Sequence, residues 1–242
     1  VIINQPIDCP PGKGLIVCQD PFSAFNKLIR HFSPNQIAQQ RIASSAKIGI
    51  GTEIHPTASI GENVTIGSNC IVLAGVSVGN NCQVGDRVII HPNSVLGGDA
   101  FYYKRRESGY DKLLSCGNVV IENDVEIGAG CTIDRGVSGT TRIGEGTKLD
   151  NLVHIAHDTA IGKRCLFAAQ VGIAGCVTID DDVTFWGQVG CIANVTIGKG
   201  VTVLAQSGVA NSLEEGKTYF GSPAKEARQK MRELAAVSRL AK

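Results

Sequence analysis

From Ile48 onward the chain repeats itself every six residues. An aliphatic side chain recurs at Ile48, Ile54, Ile60, Ile66, Val72, Val78, Val84, Ile90 and Leu96, then after a gap at Ile121, Ile127 and Ile133. After a second gap the column runs Ile143, Leu149, Ile155, Ile161, Phe167, Ile173, Ile179, Phe185, Cys191, Ile197, Val203 and Val209. An amphipathic helix would repeat at about 3.6 and a half-buried strand at about 2. A period of six held this long predicts an all-β solenoid, a left-handed parallel β-helix of hexapeptide repeats.

A second column agrees. The residue two before each aliphatic one is small or β-branched throughout, as in Ala58, Val64, Cys70, Val76, Cys82, Cys131, Thr147, Val153, Cys165 and Ser207. Cys70, Cys82, Cys131 and Cys165 therefore fill small core slots and Cys191 a large one, as buried free thiols do. Glycine often follows the aliphatic residue, as at Gly61, Gly67, Gly79, Gly128 and Gly162, where a tight corner favours a residue without Cβ. Three hexapeptides close one three-sided coil, so residues eighteen apart should stack about 4.8 Å apart. That spacing is a ruler along the chain.

Three parts fall outside the repeat. Residues 1–40 read as a short strand and a helix, a small N-terminal α/β remnant of a domain whose start is absent. The solenoid proper spans 41–212, with a loop insertion at 97–118 that carries Phe101, Tyr102, Tyr103 and Tyr110. Residues 213–242 form a C-terminal extension, with Ser222 as N-cap and Pro223 as the first residue of an α-helix. A formal net charge of +1 gives no sign of nucleic-acid binding. No apolar run is long enough to span a membrane and no signal-peptide pattern opens the chain, which makes a cytoplasmic protein the expectation. Nine cysteines without tight spacing are expected to be free.

The stretch "LDNLVHIAHDTAIG" holds two histidines. Val153 and Ile155 point inward in this frame, so His154 and His157 should face outward or sit at a corner. The ruler puts Gly175 one coil beyond His157, where a glycine N–H could meet a developing oxyanion or simply make a turn. Metal is the rival use of such histidines, since the gamma-class carbonic anhydrases, also built of hexapeptide repeats, hold zinc on three of them. Here His91 would lie more than three coils from His157 and His55 farther, so no metal site is expected.

"EIGAGCTIDRGVSGTTRIGEGTKLDNLVHIAHDTAIG", with "TIDRG" followed by "IAH", closely resembles the UDP-3-O-(3-hydroxyacyl)glucosamine N-acyltransferases of lipid A biosynthesis. "GGDAFYY" resembles that family's glycine-and-aromatic loop, and "FGSPAKEARQKMRELAAVSRL" its C-terminal helix. The resemblance runs from about residue 15 to the end. It implies transfer of a 3-hydroxyacyl chain from acyl carrier protein to the 2-amino group of UDP-3-O-acylglucosamine, by a homotrimer with no cofactor besides the thioester co-substrate. It further implies His157 as general base, Asp158 as its partner and Gly175 as oxyanion donor. Asp150, Asn151, His154, Phe101 and Tyr102 become candidates for substrate contact. So does Asn194, which stands where many members have a second histidine. Lys225, Arg228, Lys230 and Arg232 on the terminal helix are candidate docking charges for the acidic carrier protein. No counterparts of the family's uracil-binding aromatics appear in residues 1–40. Two alternatives follow: a hexapeptide-repeat acyltransferase acting on another nucleotide sugar, and a non-catalytic trimeric scaffold.

Overall fold

The computed structural model describes residues 1–9, 11–34 and 40–240. The expected left-handed parallel β-helix is present: three faces, one a ten-stranded and two an eight-stranded sheet, built of strands mostly two residues long. Within the uninterrupted stretch the partners are eighteen apart, as in Ile143↔Ile161, Leu149↔Phe167 and Ile155↔Ile173. Across the insertion Leu96 pairs with Ile133, and across the second gap Ile133 pairs with Ile155. Both detours lengthen the chain without adding a coil.

The aliphatic column forms the core from Ile60 to Val209, and the small column lies beside it, down to the buried Ser94 and Ser207. Phe167 and Phe185 stack in the axis with centroids 5.2 Å apart and planes at 24°. Ile48 is exposed and Ile54 only partly buried, because they belong to the first strands of their sheets and, among the described residues, no strand pairs on their outer side. All nine cysteines are free. Burial pushes the thiols of Cys82 and Cys165 up to about 11 and that of Cys191 up to about 12.

The corners explain the polar residues. The third residue after the aliphatic one takes φ near +60°, and it is commonly Asn, as at Asn63, Asn69, Asn81 and Asn93, a side chain that tolerates this region. The glycine directly after the aliphatic residue answers a different need. A Cβ on Gly61 would lie 2.4 Å from Asn80 Oδ1 of the next coil, so close approach excludes a side chain there. Between them sits a position whose N–H is often taken by the coil above, as in Glu62 N–H to Asn80 Oδ1 at 2.8 Å, Ser68 to Asp86 at 2.7 Å and Lys163 to Asp181 at 2.8 Å.

At the N-terminus Ile2–Ile3 and Ile16–Val17 pair in parallel and precede helix α1, Pro21–Phe32. Asp20 caps α1, with Pro21 at its first position. The insertion forms an antiparallel hairpin of Tyr103–Arg106 with Gly109–Lys112, and α1 docks on it. Asp20 bonds Arg106 Nη2 at 2.6 Å; the Ser23 hydroxyl and then Arg106 hold its carboxyl down at about 2 against desolvation.

The C-terminal helix starts later than its sequence suggests. Lys225–Glu226 turns back to pair antiparallel with Tyr219–Phe220, and α2 spans Ala227–Leu240. Ser222 and Pro223 are thus not the cap and first helical residue. Glu226 takes the capping role, accepting the N–H groups of Arg228 and Gln229 at 3.1 and 2.9 Å. Among the described residues no helix is long and apolar enough to cross a membrane.

Candidate active site

His157 follows the core residue Ile155 by two positions and lies at a corner of the face that carries His154. Its Nδ1 is 2.9 Å from Asp158 Oδ2. An ionised carboxylate only accepts, so Nδ1 carries the proton and Nε2 keeps its lone pair. Asp158 is itself fixed: φ is 56°, its N–H donates to Thr141 Oγ1 at 2.9 Å, and its Oδ2 accepts the Val137 N–H at 2.9 Å. The second gap, "RGVSG", folds around this carboxylate, and a Cβ on Gly136 or Gly139 would fall 2.6 or 2.9 Å from Asp158 Oδ1. The extra residues in the repeat are therefore the clamp on the partner of the histidine.

Gly175 lies one coil beyond, as the ruler requires, and the Cys176 N–H bonds the His157 carbonyl at 2.9 Å. A Cβ on Gly175 would sit 2.6 Å from His157 Nε2. The missing side chain is the space the imidazole occupies. Nearer the N-terminus the equivalent corner position is Asn80, which takes a backbone N–H; here Gly175 and, one coil on, Ala193 offer no acceptor. Among the described residues neither His157 N–H nor Gly175 N–H has a partner. A base with a free lone pair thus stands beside free donors.

The expected corner placement of His157 holds, and the corner is covered. His157 is outside both inward columns yet buried, with 11% of its side chain exposed. The cover comes from the insertion: the Tyr102 ring meets the imidazole edge-on, centroids 5.8 Å apart at 61°. Beside it runs a groove of about 560 Å³ lined by Phe101, His154, His157, Gly172, Gly175 and Gly190 among others. Nothing lies within 4 Å of where a Cβ would stand on Gly172 or Gly190, so the outer strand surface is smooth there. His154 is half-exposed on the same wall, with Nδ1 2.7 Å from Thr132 Oγ1.

Asp134 was not singled out by sequence. It is buried, its Oδ2 is 3.9 Å from His154 Nε2, and burial pushes its carboxyl above the usual carboxylate range. The signal was present, since shifting the ruler by the length of the second gap stacks Asp134 under Ala156, next to His157.

The other candidates lie apart. Asp150 and Asn151 line a different groove, of about 510 Å³, with His91, Glu126, Lys148 and Trp186. Asn151 Oδ1 is engaged by the Ala129 N–H at 2.8 Å. Within one chain these two residues do not meet His157. Asn194 is at the same corner as His157, at φ 61°, exposed, with its N–H on the Gly175 carbonyl at 3.3 Å. Of the four basic candidates Arg228, Lys230 and Arg232 lie on α2, whereas Lys225 is in the preceding strand and pairs with Glu233 at 2.8 Å. His91 is closer to His157 than expected, because the detours add no coils: its N–H bonds Ile127, whose coil is followed directly by that of Leu149. It occupies another corner, bonded to Glu126 at 3.0 Å. Among the described residues one set, His157, Asp158 and Cys176, brings three metal-capable atoms within 4.8 Å of one another.

Known proteins match this architecture. The bacterial transferase hexapeptide (six repeats) pattern matches residues 63–98 and 140–175. The UDP-3-O-acylglucosamine N-acyltransferase of Azorhizobium caulinodans is 40% identical over 97% of this chain and 74% of its own length. A second of that name, from Rhodopseudomonas palustris strain BisB18, is 44% identical over 96% of this chain and 70% of its own. The match to the Methylorubrum populi protein, 43% identical, spans less than half of that relative, 45%. Among solved structures, the UDP-N-acetylglucosamine O-acyltransferase of Moraxella catarrhalis superposes with a TM-score of 0.70 at 27% identity, covering 79% of this chain and 74% of that one. With near-complete coverage at these identities, and with the repeat and corner geometry in place, the chain belongs to the UDP-3-O-acylglucosamine N-acyltransferase family.

Proposed function

We propose that the chain transfers a 3-hydroxyacyl group from an acyl carrier protein thioester to the 2-amino group of UDP-3-O-acylglucosamine, in lipid A biosynthesis and in the cytoplasm. What supports this most directly is the His157–Asp158 pair beside Gly175, with His157 and Gly175 both lining an open groove. The acceptor nitrogen attacks the thioester carbon while His157 Nε2 takes the proton that nitrogen loses. Asp158 holds the resulting imidazolium, and the Gly175 N–H donates to the oxyanion of the tetrahedral intermediate. Collapse expels the thiolate, which recovers the proton from His157. No cofactor takes part.

Phe101 and Tyr102 wall the acceptor side, and His154 contacts substrate. Asp150, Asn151 and Asn194 reach it in a homotrimer whose grooves lie between copies. Arg228, Lys230 and Arg232, with Lys225 beside them, dock the carrier protein, which is acidic. The test is a transfer assay with 3-hydroxyacyl carrier protein and UDP-3-O-acylglucosamine, read by mass spectrometry of the diacylated product. Product that disappears with His157→Ala supports the proposal. Absence of product from an intact trimer, with product appearing on another nucleotide sugar, replaces the acceptor.

A further inference from the structure

Helix α1 lies far from His157 in sequence, yet one continuous set of contacts joins them. Asn26 is the one buried residue of α1. Its Nδ2 donates to the Lys112 carbonyl at 2.8 Å and its Oδ1 accepts the Leu114 N–H at 2.9 Å. The carboxamide therefore brackets Leu113 from both sides. The Leu113 N–H donates to the Tyr102 carbonyl at 2.9 Å. Tyr102 in turn lays its ring against the imidazole of His157.

No other residue type satisfies both ends of that bracket at this length. An amide offers a donor and an acceptor one carbon from the helix backbone, whereas aspartate lacks the donor and glutamine is longer. Tyr102 cannot hold its place by core packing, being 45% exposed.

We propose that Asn26 is a positioning residue, which fixes Tyr102 over His157 through Leu113 and so makes the N-terminal helix part of the device that screens the base from water. The proposal rests on His157 as the base only for its effect on turnover. The screening can be read without any reaction, from the rate at which diethyl pyrocarbonate modifies His157, followed by peptide mass spectrometry with the exposed His55 as internal reference.

The experiment uses the full chain with Asn26→Leu, Tyr102→Ala and both together, plus Asn26→Asp. Asn26→Leu and Tyr102→Ala should each accelerate modification of His157 relative to His55 and lower kcat, the latter between about tenfold and 10²-fold as expected for a displaced catalytic group. The double variant should match Tyr102→Ala alone, since both changes remove one cover. Asn26→Asp, which keeps the acceptor for Leu114, should fall between Asn26→Leu and wild type. Should Asn26→Leu prevent folding, Asn26→Asp and Tyr102→Ala still carry the comparison. A wild-type modification rate in the folded Asn26 variants overturns the proposal, as do effects of Asn26→Leu and Tyr102→Ala that multiply. Loss of screening with unchanged turnover, in an enzyme that also tolerates His157→Ala, refutes the base assignment and leaves the relay standing.

Discussion

The same corner of the solenoid occurs twice with opposite chemistry. At residues 61–63 it is closed: Asn80 of the next coil takes the Glu62 N–H, and Asn63 and Asn81 bond amide to amide at 3.3 Å. At residues 156–158 it is open, since Gly175 replaces the carboxamide and the ring of His157 enters the vacated space. The backbone path is alike, with φ 55° at Asn63 and 56° at Asp158. One absent side chain separates a structural corner from a candidate catalytic one. A solenoid of this kind can install a site by removing a side chain, because every coil offers backbone donors and only the neighbour above decides whether they are used.

The largest break in this comparison should come from His157→Ala. Turnover in single-turnover assays should fall about 10²- to 10⁴-fold, the usual contribution of a positioned base, with the far-ultraviolet circular dichroism unchanged. Gly175→Ala makes the open corner resemble the closed one. Its Cβ would demand the position of Nε2, so kcat should drop about 10²-fold, as for a displaced catalytic group, without a fall in melting temperature. At the closed corner the ordering reverses. Asn80→Ala should leave turnover at the wild-type value and cost about 1 kcal/mol in urea unfolding, the net worth of one hydrogen bond.

The smallest effect separates the two corners by pH. Asp134, beside the open corner, has a folded-state carboxyl raised above 3.8 by burial. Its contribution to stability is therefore fully present below pH 3.8 and lost as pH rises through the folded value. Above its folded value the ionised group is a burden that Asp134→Asn removes. The variant should melt higher than wild type at pH 7 in scanning calorimetry, and the two should converge below pH 3.8. A constant difference across that range would mean that the carboxyl is not strained by burial.

Much of this was legible in the sequence, for a reason the register shows. Where coils follow without interruption, from Ile143 to Val209, eighteen residues make one rung, so the core of Phe167 and Phe185 and the stacking of Gly175 on His157 could both be counted. Where the chain detours, counting fails. Asp134 and the nearness of His91 were missed because the gaps shift the register. The burial of His157 was invisible because its cover comes from Tyr102, in a loop without periodicity. The start of α2 was misplaced for another cause. "SPAKEA" is a sound local helix start, but pairing of Lys225–Glu226 with Tyr219–Phe220 overrode local preference. Asp150 and Asn151 are not near His157 within one chain, so no count along the sequence could have joined them.

The detours have a consequence for how such molecules diversify. In most folds an insertion pushes apart the elements on either side, but here the chain leaves a corner and returns to the same rung, with Leu96 against Ile133 as though nothing intervened. Loop closure grows costlier only slowly with length, so a corner behaves as a socket into which segments of many sizes can be plugged. The body that holds the histidine and the module that shapes its surroundings are then separable components. On the proposed function, grafting a different 97–118 segment, together with a matching helix to grip it, should change the acceptor preference on an unaltered solenoid.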